Sequence, residues 1–185
     1  RRRRCHEQSV AQSEAMPDRL IVNVDIGGGT SNIAWGLNGE VLMTASLHVG
    51  ARHVRFEPGS RRIAAATPEA RRLLFDTSEA LEIGSVLSAE ASRLLVERQV
   101  DALEDIIFNR VSARVLRAFP ELVQAAPGII DQATGRWDRP AINFSGGVAD
   151  LMARIRQGAT RPSTSHPGLS LYDDLGEELA AALLN

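Results

Sequence analysis

Residues 20–33 constrain the fold more than any other segment of this chain. They read LIVNVDIGGGTSNI, two apolar runs separated by an aspartate, three glycines and a threonine. This pattern predicts a buried strand, a tight turn and a returning strand. Gly27, Gly28 and Gly29 lack a Cβ, so their backbone N–H groups can approach an anion closely. Asp25, at the end of the strand, could hold Mg²⁺ or an activated water beside a phosphate, and Thr30 adds a hydroxyl. The segment predicts a phosphate and metal site, with an ordinary glycine hairpin as the alternative.

Length, composition and charge limit the class of protein. A chain of 185 residues with 44% hydrophobic and 24% charged residues is typical of one globular domain. Its net charge of −2 gives no reason to expect nucleic acid as a partner. No apolar run approaches the ~20 residues of a membrane span, and we expect neither a membrane nor a secretory segment. The single cysteine, Cys5, excludes an internal disulfide and agrees with a cytoplasmic location.

The first third of the chain predicts an antiparallel meander. Residues 1–19 are polar and basic, and we expect a short helix or a frayed arm there. The chain opens on four arginines with no methionine, so we expect it to be a piece of a longer protein. Strands are predicted over residues 20–26, 31–37, 40–49, 53–56 and 62–65, with turns at Asn38-Gly39 and at Pro58-Gly59-Ser60.

The rest of the chain adds helices and one more strand. A short helix or loop is expected over 67–75, a long amphipathic helix over 88–111, a strand over 141–144, a helix over 148–156, a loop over 157–170 and a terminal helix over 173–184. A meander followed by helix, strand and helix predicts an α/β fold with a mixed sheet.

A second glycine-bearing motif follows the strand at 141–144. Residues 144–150 read FSGGVAD, the form of a strand, a double glycine and the first turn of a helix. Gly146 and Gly147 let the backbone lie flat against a planar or phosphorylated ligand, and the helix adds the positive end of its dipole. Close packing between strand and helix is the alternative explanation. Two glycine turns that meet at one sheet edge could hold a nucleotide from opposite ends.

The two motifs together resemble those of the actin-like ATPase superfamily, which includes heat-shock chaperones and sugar kinases. VDIGGGTSNIA resembles its second phosphate-binding motif and FSGGVAD its adenosine motif. Within that superfamily the chain is most similar to the reactivating factors of ethanolamine ammonia-lyase. The phrases NVDIGGGTSNIA, SLHVGARH, FSGGVADLM and YDDLGEELAAALL match that family in order and spacing, over residues 21–184.

The resemblance implies a chaperone-like ATPase with a ribonuclease H-like or actin-like lobe. Such a reactivase uses ATP and Mg²⁺ to release a damaged corrinoid from its partner, the adenosylcobalamin-dependent ethanolamine ammonia-lyase. It would work in the cytoplasm, in or outside a bacterial microcompartment. By resemblance, Asp25 would position Mg²⁺ or water, and Gly27, Gly28, Gly29 and Thr30 would donate to the phosphates. Gly146 and Gly147 would lie against the adenosine, with Asp150 or Asn32 as polar contacts.

One departure from the superfamily concerns its first lobe. That lobe carries its own Asp-x-Gly-x-x-Thr loop, and no second loop of this kind occurs here. We therefore expect residues 1–19 to be an arm or the end of a preceding helix, and residues 20–185 to be the second lobe. The first lobe would then be a partner of this chain. An isolated lobe supplies half of a phosphate clamp, so we expect weak nucleotide binding and negligible turnover.

Two alternatives remain open from the sequence. Exopolyphosphatases and guanosine-pentaphosphate phosphohydrolases also have a strand that ends in DIGGG, but usually continue with Ser-Thr-Glu, whose glutamate serves catalysis. Here Thr30-Ser31-Asn32 follows, and an amide cannot act as a base, which favours the ATPase. The other alternative is a non-catalytic actin-like module used for assembly. The retention of Asp25 and Thr30 argues against it.

Overall fold

The computed structural model of the protein describes residues 2–108, 110, 112–120, 140–158 and 172–184. Within these residues the elements are, in chain order, α1 (Arg2–Ala15), β1 (Ile21–Ile26), β2 (Ser31–Leu37), β3 (Glu40–Leu47), a 3₁₀ turn (Ala51–His53), β4 (Val54–Phe56), β5 (Ile63–Ala66), α2 (Pro68–Leu73), α3 (Ala89–Ile107), α4 (Ala113–Ala118), β6 (Ala141–Ser145), α5 (Gly147–Arg156) and α6 (Gly176–Ala182). None of these helices has both the length and the apolar character that a membrane span needs.

The main sheet has four strands in the order β3-β2-β1-β6. β2 pairs antiparallel with β1 and β3, whereas β6 pairs parallel with β1. The hairpin between β2 and β3 turns at Asn38 and Gly39, whose φ angles of 51° and 80° suit the tight turn that Asn-Gly predicts. β4 and β5 form a separate antiparallel pair. The predicted α/β fold with a mixed sheet is confirmed.

One face of the sheet is apolar and packs on α3. Val22, Val24 and Ile26 of β1 point to this face, and Trp35 lies beside Val22 on β2. The Trp35 side chain is fully buried. Its indole N–H donates at 3.3 Å to the carbonyl oxygen of Ile107, the last residue of α3. Ser88 begins this helix, because its side chain accepts from the Ala91 N–H at 2.9 Å.

The other face carries polar as well as apolar side chains and is covered by α1. Gln8 Oε1 accepts from Asn23 Nδ2 of β1 at 3.2 Å, and Gln12 Oε1 accepts from Asn143 Nδ2 of β6 at 2.7 Å. The Ser9 hydroxyl approaches the backbone of β2, so that a Cβ on Gly36 would lie only 2.6 Å from it. Of the two predictions for residues 1–19, the structure shows a helix. The division of the chain at residue 19 stays a prediction.

Two predicted helices differ from the observed ones in their bounds, and one observed helix was not predicted. α3 ends at Ile107, not at residue 111, because Phe108 leaves the helical conformation at a φ of −98°. α4 was not predicted, although the Ser112 side chain caps it by accepting from the Val115 N–H. The terminal helix begins at Gly176 and not at residue 173. Asp173 has a φ of 50°, and the backbone of Asp174 forms an isolated antiparallel β-bridge with that of Arg55. Most of the predicted loop at 157–170 lies outside the described residues.

Candidate functional site

The loop between β1 and β2, residues 27–30 and hereafter the glycine loop, lies at the edge of the sheet where β1 ends. The Gly27 N–H donates to the Thr30 carbonyl at 2.9 Å and closes the loop. The backbone N–H groups of Gly28, Gly29 and Thr30 have no hydrogen-bond partner among the described residues. A Cβ on Gly29 would meet nothing within 4 Å. The loop therefore has free backbone donors and open space beside them, as an anion site requires.

The 3₁₀ turn after β3 supports the glycine loop through its carbonyl groups. The Ala51 N–H donates to the Gly27 carbonyl at 3.2 Å, and the Arg52 N–H donates to the Gly28 carbonyl at 2.5 Å. Gly50 makes this approach possible, since a Cβ there would lie 2.7 Å from the Gly28 carbonyl carbon and oxygen. The carbonyls of Gly27 and Gly28 are thus held by this turn, while the N–H groups of residues 28–30 have no partner in the described part of the chain. The segment SLHVGARH contains this support, but its role was not predicted.

The second glycine turn meets the end of β1. Asp25 and Ser145 are register partners in the parallel pair of β1 and β6. Gly146 follows with a φ of 86°, and a Cβ there would lie 2.2 Å from Asp25 Oδ1 and 2.7 Å from the Ile26 carbonyl oxygen. Only glycine suits both this conformation and this contact. The structure therefore brings the two motifs together at one sheet edge.

The remaining predicted residues of the second motif lie next to this contact, on α5. Gly147 is the first residue of the helix and is exposed, with nothing within 4 Å of its Cβ position. Asp150 is also exposed and lies in the first turn, where a negative charge stabilises the helix.

A row of four polar residues crosses the sheet beside the glycine loop. Ser46, Asn32, Asp25 and Ser145 are successive register partners on β3, β2, β1 and β6, and hence share one face. The Ser46 hydroxyl donates to Asn32 Oδ1 at 3.1 Å. Asp25 is only 6% exposed. We call these four residues the polar row.

Two members of the polar row lack a partner in the described part of the chain. No hydrogen bond or ion pair reaches the Asp25 carboxylate, and the Ser145 hydroxyl is inaccessible and also unbonded. Buried polar groups in proteins are nearly always hydrogen-bonded to protein, water or ligand. Ser145 was not predicted as a site residue, because its position opposite Asp25 depends on strand pairing across more than one hundred intervening residues. The pair indicates a place for a polar ligand or an ion.

The chemistry of the site fits a metal bound together with an anion. No group of three or more His, Cys, Asp or Glu side chains that could hold a metal occurs among the described residues. Mg²⁺, however, is commonly bound through one or two carboxylates while phosphates and waters complete its shell. Asp25 supplies one such carboxylate beside the free N–H groups of the glycine loop.

A buried histidine lies behind the glycine loop. His53 ends the 3₁₀ turn, is 1% exposed, and its Nδ1 lies 3.0 Å from the Thr67 hydroxyl. Burial lowers the pKa of His53 from 6.5 to about 4, against the opposing charge of Glu69. The imidazole is therefore neutral at pH 7. Sequence reasoning did not predict this supporting position of His53.

Comparison with solved structures gives distant likenesses. MreB 5 of Spiroplasma citri bound to AMPPNP is 16% identical with a TM-score of 0.39, over 96% of this chain and 57% of that one. The ethanolamine utilization protein EutJ from Carboxydothermus hydrogenoformans is 17% identical with a TM-score of 0.27, over 96% and 54%. The activator of the 2-hydroxyisocaproyl-CoA dehydratase from Clostridium difficile with bound ADPNP is 14% identical with a TM-score of 0.26, over 99% and 65%. The chain thus spans less than two thirds of each structure.

Sequence comparison is more informative. No curated protein sequence matches the chain significantly. The family model of the ethanolamine utilisation protein EutA, in contrast, matches residues 7–185 and so covers almost the whole chain. That match confirms the predicted link to an ethanolamine-utilisation family. The chain belongs to the EutA family of ethanolamine utilisation proteins.

Proposed function

We propose that this chain is the second nucleotide-binding lobe of an actin-like ATPase that binds Mg-ATP at the glycine loop. The observation that carries the proposal is the buried carboxylate of Asp25. It has no partner in the described part of the chain, and it lies against Gly146 and beside the free N–H groups of residues 28–30. An ordinary glycine hairpin gives no reason to place an unpaired and largely buried carboxylate beside free N–H groups, whereas a bound cation would compensate its charge.

Each predicted site residue has a role in this proposal. The glycine loop donates its N–H groups to the phosphates, and Asp25 holds Mg²⁺ directly or through water. Gly146 and Gly147 lie against the adenosine, where the exposed start of α5 leaves room for a flat ligand. Asn32 belongs to the polar row and orients a polar group or water near Asp25. Asp150 provides a further polar contact from the first turn of α5.

The family suggests the process that this nucleotide site serves. We propose that the protein reactivates ethanolamine ammonia-lyase, releasing a damaged corrinoid so that intact adenosylcobalamin can bind. The lyase is then the protein partner, and the corrinoid remains a ligand of the lyase. Membership of an ethanolamine-utilisation family supports this assignment. We expect the protein to act in the cytoplasm, in or outside a microcompartment.

Hydrolysis needs groups on more than one side of the phosphates. In the described residues the glycine loop, Asp25 and Gly146 all approach from the same sheet edge. Phosphoryl transfer depends on attacking and leaving oxygens held in line, with charge neutralised around the transferred group. We therefore propose that a first lobe supplies the opposing half, and that this chain alone turns over ATP negligibly.

Calorimetric titration of the intact protein with Mg-ATP and Mg-ADP tests the nucleotide site. We expect binding that Asp25→Asn weakens at least tenfold, because the substitution removes the negative charge that holds the metal. Gly146→Ala should weaken binding as strongly, since its Cβ would displace Asp25. Gly84→Ala is the matched control, because Gly84 has nearly the same φ of 85° but nothing within 4 Å of its Cβ position.

The outcomes separate the proposal from its alternatives. Absence of heat with both nucleotides would support the non-catalytic assembly module and reject the ATP site. Phosphate release from polyphosphate but not from ATP would identify the phosphohydrolase. Reactivation itself is measured with ethanolamine ammonia-lyase inactivated by an adenosyl-lacking corrinoid. Recovery of lyase activity should require ATP, Mg²⁺ and the intact protein, and should fail with Asp25→Asn.

A further inference from the structure

Arg52 contacts the glycine loop with both its backbone and its side chain. Its N–H donates to the Gly28 carbonyl, and the stem of its side chain lies across Gly28, where a Cβ would be 3.0 Å from Arg52 Cδ. Gly28 therefore leaves the space that the arginine stem occupies. The side chain is nonetheless 62% exposed. The charged end of Arg52 is thus placed beside the loop and in contact with solvent.

Asp174 holds the guanidinium of Arg52 from behind. Asp174 is 3% exposed, and its Oδ2 lies 3.5 Å from Arg52 Nε while its Oδ1 accepts from the Gly176 N–H at 2.9 Å. Burial raises the pKa of Asp174, and the charge of Arg52 opposes this effect. The Leu175 N–H donates to the Ala51 carbonyl at 3.0 Å, which fixes this C-terminal segment to the 3₁₀ turn.

The remaining donors of Arg52 have no partner among the described residues. Among these residues only Asp174 approaches the guanidinium, at Nε, and the four N–H groups of the two terminal nitrogens have no partner there. A guanidinium binds phosphate through such paired donors, in a planar geometry that lysine cannot reproduce. Most exposed arginines must be ordered when a ligand binds, at a cost in side-chain entropy. Arg52 is already held at its backbone, its stem and its Nε, which lowers that cost.

The strand order indicates which phosphate Arg52 would reach. In the order β3-β2-β1-β6, the glycine loop joins the two central strands. Gly146 follows β6 and approaches from one side, whereas Arg52 follows β3 and approaches from the other. With the adenosine near Gly146 and Gly147, the phosphate chain would extend along the loop toward Arg52.

We propose that Arg52 binds the outermost phosphate of a nucleoside triphosphate, and that Asp174 is the positioning residue that orients it. This inference rests on the proposed nucleotide site. It adds a cationic contact from a segment that carries neither of the two glycine motifs. It also gives Asp174, the buried acid of the C-terminal segment YDDLG, a role in ligand binding and not in packing of the core.

Titration of the intact protein with Mg-ATP, Mg-ADP and adenosine tests the inference. Arg52→Gln should weaken Mg-ATP binding roughly ten- to a hundredfold, the range for one charge-assisted hydrogen bond. It should weaken Mg-ADP less and leave adenosine unchanged. Arg52→Lys should recover part of the loss, because it keeps the charge without the paired donors. Asp174→Asn should weaken Mg-ATP several-fold and also leave adenosine unchanged.

Arg55→Gln is the matched control, because Arg55 is an exposed arginine of the neighbouring strand β4. It should bind all three ligands as the unmodified protein does. Thermal melts without ligand test whether each variant keeps its fold. If Asp174→Asn lowers the melting temperature enough to account for its loss of affinity, the positioning role of Asp174 is rejected. Wild-type levels of Mg-ATP binding by Arg52→Gln would overturn this inference alone. Failure of the unmodified protein to bind Mg-ATP would overturn the proposed nucleotide site and this inference with it.

Discussion

The two faces of the main sheet differ in chemistry although the same strands form both. On the face toward α3, residues such as Val24, Ile33 and Trp35 are apolar and belong to the main core. On the face toward α1, their neighbours Asn23, Asp25 and Asn32 are polar and also buried. A strand alternates its side chains between faces, so one residue of sequence separates the two environments.

From this comparison we propose that stability and ligand binding depend on different faces of the sheet. Burial of large apolar side chains is the dominant favourable contribution to folding, so the α3 face carries most of the stability. The α1 face contributes less, because each hydrogen bond between amide side chains only takes the place of bonds that the same groups make to water in the unfolded chain. Its polar row belongs instead to the proposed ligand site. Substitutions on the two faces should therefore have separable effects.

The largest expected effect is on the apolar face. Trp35→Ala should destabilise the protein by about 3–5 kcal/mol, because it removes a fully buried indole and leaves a cavity. Trp35→Phe should cost less, since it keeps most of the buried area and loses the bond to Ile107. Denaturant unfolding measures both. Unchanged stability in Trp35→Ala would contradict the assignment of stability to this face.

The next largest expected effect is a dependence of stability on pH, caused by the buried His53 behind the glycine loop. The pKa of His53 is lowered by burial to about 4, whereas unfolding restores about 6.5. Between these values the unfolded chain binds more protons, so stability is full above pH 6.5 and falls as the pH drops toward 4. At about 1.4 kcal/mol per pH unit, the loss approaches about 3 kcal/mol.

Unfolding measured across this pH range, with two variants, isolates the His53 contribution. His53→Asn should lower stability at pH 7 and flatten the dependence. His48→Gln is the control, since His48 is about half exposed and lies close to Glu69 in the same region. A dependence that survives in His53→Asn would assign it to other groups.

A smaller effect is expected where α1 meets the polar face. In a double-mutant cycle, Gln12→Ala and Asn143→Ala should show a coupling of about 0.5–1.5 kcal/mol, the net value of one hydrogen bond. Unfolding free energies of the four proteins give this value. Strict additivity would mean that α1 is held by contacts other than this amide pair.

The smallest effect distinguishes the two glycines of the second motif. Gly147→Ala should stabilise the protein by about 0.5 kcal/mol, because the position is helical and its Cβ would meet nothing. It should weaken Mg-ATP binding if the adenosine lies against this residue. Gly146→Ala should lower both stability and binding. Equal behaviour of the two variants would contradict the assigned geometry.

Sequence patterns predicted the parts of the fold that depend on neighbouring residues. Alternation and the Asn38-Gly39 turn predicted the meander, and apolar spacing predicted α3. The pairing of Gln12 with Asn143, by contrast, joins residues far apart in the chain and leaves no local signal. α4 was missed because it spans only six residues, too few to show a helical period.

The candidate site was predictable to the same extent. Asp25 and the two glycine motifs were predicted as site residues, because an aspartate and a run of glycines after an apolar strand form a pattern within a few neighbouring residues. The contributions of Gly50, Ser145 and Asp174 were missed, because each depends on a contact between segments that only the folded sheet brings together. Their roles toward a ligand stay proposals until binding is measured.

The parallel pairing of β1 with β6 also determines when the site can form during folding. β1, β2 and β3 are joined by short turns and can pair early, whereas Asp25 and Gly146 are separated by about 120 residues. Closing so long a loop is slow, and it needs the C-terminal half to be synthesised first. Incomplete chains would therefore carry the glycine loop without β6 and Gly146 beside it. A ligand bound at the proposed nucleotide site would stabilise the finished fold in preference to its precursors.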